Sequence, residues 1–448
     1  MSTANTTPTP AQMLAALQSQ YYGMAWLALA AQAYTAEGDW NEIPMGLYTA
    51  LTQIDPATQQ PYTPPLPAPG QAGIDSPAAL GGAWSLDWGP ANGQNGDGDN
   101  SNLVYLASFR AQGNLSYADG APYCFVVGIR GTDTSVAGKA LWQQIGQDLR
   151  AFTLWSWPKL LSGGYDHLVD GKLSVPTPNT SDVSGQNGNI AHGSMLGFVK
   201  IANSTAPLND GLPPDQASGE AVALIDALNS LLEQYPDTPV VVTGHSLGAC
   251  QAQVMAAYLA WQLGGRVPVI PQVFAPPTPG DQDFVDTYQS GCPNGGFWYC
   301  SLDLVPYAYI TVQAVKGKDQ TERGLVWARQ NLWSASQWPD GGGAGPQLPG
   351  ILSDLIATIG HLVPTSYQRP AIGQQELVGA LPSPAAMQAF LDGMGGRWAG
   401  YDPKGSDAQL AWQHFPPNYF QLMWAQYADS LAQYTATAYK PYPVMKKE

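Results

Sequence analysis

The chain has 448 residues, of which 44% are hydrophobic and 12% charged, apolar material enough for one large domain with a substantial core. Its 34 acidic against 18 basic residues give a formal charge of −16, which opposes contact with nucleic-acid phosphates and anionic lipid surfaces. No apolar run reaches the roughly 18 residues of a membrane span, and four cysteines without Cys-x-x-Cys spacing exclude a disulfide scaffold and a structural metal.

After a Pro/Thr leader, Leu14, Leu17, Tyr21, Met24 and Ala28 recur at helical spacing, so an amphipathic helix is expected over 11–34. No basic residue precedes its apolar stretch, and no signal peptide is visible; the expectation is a soluble chain, cytoplasmic or exported by a signal-independent route. Residues 55–101 mix Pro, Gly, Asn and Asp densely and are read as an extended surface wrap. The runs 102–109 and 123–129 are apolar and β-branched, are separated by turn residues, and predict a hairpin. From Asp215 a helical pattern (Ala221, Leu224, Leu228, Leu231, Leu232) alternates with a strand from Val240, a helix over 249–263, a strand over 267–274 and a further aromatic strand over 297–301. Strand and helix in alternation predict an α/β fold with a mainly parallel central sheet covered by helices on both faces. Residues 313–400, rich in Gly and Pro, are read as an insertion holding one apolar helix over 351–359. Cys292 and Cys300 bracket a Pro-Asn-Gly-Gly turn and are candidates for a small disulfide loop, whereas Cys124 and Cys250 sit in apolar runs as buried thiols would.

The chemistry concentrates in Val240-Val-Val-Thr-Gly-His-Ser-Leu-Gly248. A Gly-x-Ser-x-Gly sequence between a strand and a helix is the condition for a nucleophile elbow, a tight turn that exposes the Ser246 hydroxyl and aims the amides of the following helix at it. Glycine or another small residue is required at 244 and 248 because bulky neighbours would collide with the adjoining strand and helix. A serine hydroxyl needs a histidine base, and that base needs an acid to fix its tautomer. His245, inside the elbow, should point away from Ser246 and serve packing or hydrogen bonding. The order Ser, Asp, His of α/β-hydrolases leaves His361 and His414; His414, on a loop ahead of a helix opened by Pro417, is favoured over His361, which follows an apolar run as a helix-capping histidine would. Asp303, at the end of a predicted strand, is favoured as the acid over Asp281 and Asp283.

Several segments resemble, in order, those of the class 3 lipases, the family of fungal triacylglycerol lipases and their bacterial relatives. They are Ile129-Arg-Gly-Thr132, Trp142 with Asp148-Leu, His192-Gly to Phe198, the elbow itself, Phe274-Ala-Pro to Phe284, and Asp303-Leu-Val-Pro306. The resemblance implies an α/β-hydrolase fold with an N-terminal extension and lid or insert segments. It implies a triad of Ser246, Asp303 and His414, an oxyanion hole formed by the backbone amides of Leu247 and Thr132, an ordering role for Asp148 and a structural one for His192. It also implies a carboxylic-ester hydrolase for acylglycerols or related lipid esters, working through an acyl-enzyme without cofactor or metal, its partners a lipid or ester substrate and a transient lipid interface.

Residues 150–191 hold an aromatic, weakly charged segment expected to act as a lid, with Trp155, Trp157 and Leu160 touching acyl chains; Trp333 to Trp338 is a second lid candidate. The expected organisation is one domain: N-terminal helix and wrap over 1–101, core over 102–312, insertion over 313–400, and the histidine loop with a final helix over 401–448. Two rival readings keep the fold, an exported phospholipase-type effector and a catalytically silent lipid-binding scaffold.

Overall fold

The computed structural model describes residues 43–52, 83–92, 103–112, 115–116, 121–131, 153–168, 171–173, 175, 182–209, 212–303, 305–307, 367–371, 373–379, 382–393, 406–416, 418–419 and 421–423. The helix expected over 11–34, the helix over 351–359 and the Trp333 to Trp338 segment lie outside them.

Seven strands form the main sheet in simple chain order: β1 (Ala83–Asn92), β2 (Leu103–Gln112), β3 (Cys124–Ile129), β4 (Val240–His245), β5 (Val269–Phe274), β6 (Gly296–Cys300) and β7 (Gln374–Leu377). The short strand Leu115–Ser116 pairs with β2 off this path. β1, β2 and β3 pair antiparallel, as the expected hairpin of β2 and β3 requires, and β3 through β7 run parallel. Every residue of β3, β4, β5 and β6 is buried, because helices cover both faces and a parallel sheet leaves neither face to water.

Eight helices are described: α1 (Ile43–Thr52), α2 (Trp157–Ser162), α3 (His192–Ala202), α4 (Leu224–Gln234), α5 (Leu247–Leu263), α6 (Gln282–Gly291), α7 (Pro384–Gly393) and α8 (Ser406–His414). α5 connects β4 to β5 and is apolar nearly all round, which suits its place under the sheet with only Ala260 partly exposed. α4 instead buries one stripe (Leu224, Ile225, Ala227, Leu228, Leu232) and shows water its other face.

Two segments correct the sequence reading. Residues 83–92 are a strand rather than wrap: Trp84, Leu86 and Trp88 are buried against Phe109, Ala107 and Leu106 of β2, a bulge between Leu86 and Trp88 turns Trp88 to the opposite face, and a second one takes up the Gly89-Pro90 step that makes the segment look irregular. Residues 374–377 are the parallel edge strand of the sheet, not part of an insertion. Three of its four residues are polar, as an edge strand with only Leu377 fully buried allows. The Cys292–Cys300 disulfide is also overturned, since all four cysteines are free and buried.

Candidate active site

The carboxyl ends of β4 and β6 and the end of α8 meet at one place. Ser246, between β4 and α5, takes φ 57° and ψ −127°, a left-handed backbone that L-residues adopt only under constraint. The constraint comes from both sides: Ser246 N–H donates to Phe274 O at 2.9 Å, while its own carbonyl accepts from Ala249 and Cys250 at the start of α5. A Cβ on Gly244 would come within 2.4 Å of Gly248 O, and one on Gly248 within 2.4 Å of Ile129 O and 2.6 Å of Gly131 N. The glycine spacing therefore folds the elbow on itself and seats the first turn of α5 against the end of β3.

Ser246 Oγ lies 2.8 Å from His414 Nε2, and His414 Nδ1 lies 2.9 Å from Asp303 Oδ2. All three residues are buried. With the proton on Nδ1, His414 donates to the carboxylate and offers Nε2 as acceptor to the serine hydroxyl. Asp303 sits just past β6, where its other oxygen accepts Val305 N–H at 2.9 Å, and Arg369 fixes the turn beyond it by donating to Pro306 O at 2.6 Å. The structure thus gathers Ser246, Asp303 and His414. Asp281 goes elsewhere, capping α6 by accepting from Phe284 N–H and tying down Asn189. His361, Thr132, Trp142 and Asp148 lie outside the described residues.

His414 closes α8 rather than riding a loop, a correction to the sequence reading. The cause is apolar: Ala408, Ala411 and Trp412 are buried, and Trp412 packs edge-on against Phe390 of α7. Pro416, lacking an N–H group, cannot continue the hydrogen-bond ladder behind it.

Two side chains complete the site that the sequence reading left without a role in it. Tyr419, fully buried, accepts Cys300 N–H at 3.0 Å and donates to Asp303 Oδ2 at 2.7 Å; burial first, then the neighbouring carboxylate, pushes its phenol well above the ordinary range. His245 turns away from Ser246, as expected, and its Nε2 meets His414 O at 2.7 Å. Burial and the neighbouring His414 hold its pKa well below the usual value. Spacing signals neither contact.

Two of the three residues expected on a lid are core residues. Trp157 and Leu160 are fully buried in the core on α2, Trp157 against Phe198 and Phe284 with its indole N–H on Gln186. A weakly charged aromatic segment suits a core helix as well as a lid. Trp155, partly buried, stacks on His192 at 4.3 Å with 3° between the rings. Among the described residues no group of three His, Cys, Asp or Glu could hold a metal, and no helix is long and apolar enough to cross a membrane.

The family model described as lipase (class 3) matches residues 186–311, a stretch that contains the elbow and Asp303. No curated protein matches the sequence. Among solved structures, M37 lipase is 17% identical with a TM-score of 0.54, the match covering 93% of this chain and 98% of that one. The Lip2 lipase from Yarrowia lipolytica (14% identity, TM-score 0.36, covering 64% and 72%) and the Rhizomucor miehei lipase–propeptide complex (15%, 0.35, covering 64% and 62%) are more distant. The parallel sheet flanked by helices is the α/β-hydrolase fold.

Proposed function

From the match of residues 186–311 to the class 3 lipase family model and the α/β-hydrolase fold, we propose a serine-dependent carboxylic-ester hydrolase acting on acylglycerols or related lipid esters. The observation that carries this reading is the chain of contacts from Ser246 Oγ through His414 to Asp303 at 2.8 and 2.9 Å, mounted on a strained elbow.

In this reading Ser246 Oγ attacks the ester carbonyl carbon while His414 Nε2 takes its proton, and Asp303 stabilises the imidazolium so formed. The tetrahedral oxyanion is received by the backbone N–H of Leu247, at the positive N-terminus of α5, and by that of Thr132, next in sequence to Gly131, whose amide nitrogen packs against Gly248. Collapse breaks the ester C–O bond, and the leaving alcohol takes the proton from His414. Water then repeats the sequence on the acyl-enzyme, with His414 again base and then acid, and releases the carboxylic acid.

A fluorophosphonate probe, which reacts with activated serines, is expected to label the wild-type chain at Ser246 and to leave Ser246→Ala unlabelled. Hydrolysis of 4-nitrophenyl esters should vanish with the same substitution. A folded wild-type chain with neither adduct nor turnover would overturn the reading and favour the silent lipid-binding scaffold.

A further inference from the structure

We propose that His245 is a positioning residue that holds the base in register with the nucleophile by hydrogen-bonding the main-chain carbonyl of His414; the inference rests on the proposed serine-hydrolase reading.

The last carbonyls of a helix lie beyond its own hydrogen-bond ladder and need partners from elsewhere, and that of His414 stands at the end of α8. The residue three further on is Pro417, which has no N–H, and the next N–H, that of Asn418, goes instead to Phe415 O at 3.1 Å. A buried helix-end carbonyl is costly to leave without a hydrogen bond. His245 Nε2 meets it at 2.7 Å. A carbonyl oxygen can only accept, so Nε2 must carry the proton, which sets the tautomer of His245.

The groups around the ring keep it in that state. Its centroid is 4.9 Å from that of His414 and 5.6 Å from that of Tyr419, the latter edge-on at 88°. His245 is fully buried, and a second positive charge beside an imidazolium at His414 would be opposed. The ring is thus a neutral donor while its neighbour shuttles protons. Because His245 immediately precedes Ser246 and its partner is the peptide of His414, one hydrogen bond couples the backbone of the nucleophile to the backbone of the base. Asp303 and Tyr419 control the ring of His414; His245 controls where its backbone stands. Displacement of a reacting group by about 1 Å can cost up to about a hundredfold in rate.

The test compares wild type with His245→Phe, which keeps an aromatic ring but loses the donor, and His245→Gln, which keeps an N–H able to reach the carbonyl. With 4-nitrophenyl butyrate, the Phe variant is expected to lose about thirtyfold in kcat with KM within about twofold of wild type, and Gln to recover most of the loss. Equal kcat in folded wild type and Phe variant, or equal loss in Phe and Gln, would overturn the proposal, the second outcome marking a demand for ring shape alone. Nitrogen-15 NMR of the histidine-labelled wild-type chain decides the point even where a variant does not fold. His245 protonated at Nε2 throughout the titration of His414 supports the proposal, and protonation at Nδ1 alone overturns it. Failure of the underlying reading looks different: wild type itself then shows no turnover and no fluorophosphonate adduct, while the tautomer of His245 is still read directly.

Discussion

Tyr419 donates its hydroxyl proton to the same oxygen of Asp303, at 2.7 Å, that His414 meets through Nδ1 at 2.9 Å. The two donors share one carboxylate oxygen, so part of the negative charge facing His414 is already neutralised by a phenol. Direction follows from this sharing. Cys300 N–H points into the phenol oxygen, which leaves the single phenol hydrogen for Asp303.

Tyr419→Phe should therefore lower the rate. Without the phenol donor, Asp303 loses one of the two hydrogen bonds made to the oxygen that faces His414. Loss of orientation at Asp303 is expected to lower kcat about tenfold, equivalent to about 1.4 kcal/mol of barrier. Steady-state kinetics on a 4-nitrophenyl ester check this, and an unchanged kcat in the folded variant contradicts the account.

Asp303→Asn tests the other side of the pair. An amide in that place can donate to Nδ1, which turns the imidazole to the tautomer that cannot accept from Ser246. Where that happens kcat falls by about four orders of magnitude while the fold persists. Circular dichroism should match wild type, and the pre-steady-state burst of nitrophenol should disappear.

Gly248→Ala and Gly244→Ala should fail for a steric reason rather than a chemical one. Each new methyl would stand about 2.4 Å from a backbone oxygen, Ile129 O or Gly248 O, which no rotamer change relieves. Overpacking against soft neighbours costs about 1–3 kcal/mol; against fixed backbone the upper end is expected, with labelling of Ser246 lost. Thermal unfolding alongside fluorophosphonate labelling separates loss of fold from loss of the elbow.

Those glycines also explain why the elbow was legible in the amino-acid sequence while its surroundings were less so. The turn imposes a steric demand on residues two apart, so the demand is written locally, and Asp303 follows because it terminates an aromatic strand. The roles of Tyr419 and His245 arise from where the end of α8 and the residues after it meet β4 and β6, a three-dimensional consequence with no spacing of its own. β7 escaped notice because Gln374, Gln375 and Glu376 carry no apolar alternation on an edge strand. β1 escaped because Gly89 and Pro90 interrupt an alternation that a bulge accommodates. Composition misled at Trp157, since aromatic and uncharged describes a lid and a core helix equally.

Stability should also fall in acid because of His245. Burial lowers its folded-state pKa well below the ordinary value of 6.5, so the unfolded chain binds a proton where the folded chain does not. The contribution is intact above about pH 6.5 and is lost as pH falls below it, down to the depressed folded value, at about 1.4 kcal/mol per pH unit for one proton. His245→Gln cannot titrate and is expected to flatten the dependence of unfolding free energy on pH between about 6.5 and 5. Urea unfolding across that range checks it, and identical slopes in the two proteins would assign the acid sensitivity to other groups.

Trp157 provides the test of core against lid. Its ring is fully buried among Phe198 and Phe284, and its indole N–H donates to Gln186 at 3.1 Å. Trp157→Ala then removes a large buried side chain and strands Gln186, with an expected loss of about 3–5 kcal/mol in unfolding free energy. Trp157→Phe keeps most of the volume but not the N–H, and about 1–2 kcal/mol should be lost. In both variants the ratio of kcat/KM between short and long acyl esters is expected to match wild type within about twofold, because a residue in the core changes how much enzyme is folded rather than which chain length it prefers. A shift in chain-length preference at unchanged unfolding free energy would return Trp157 to the acyl-binding surface.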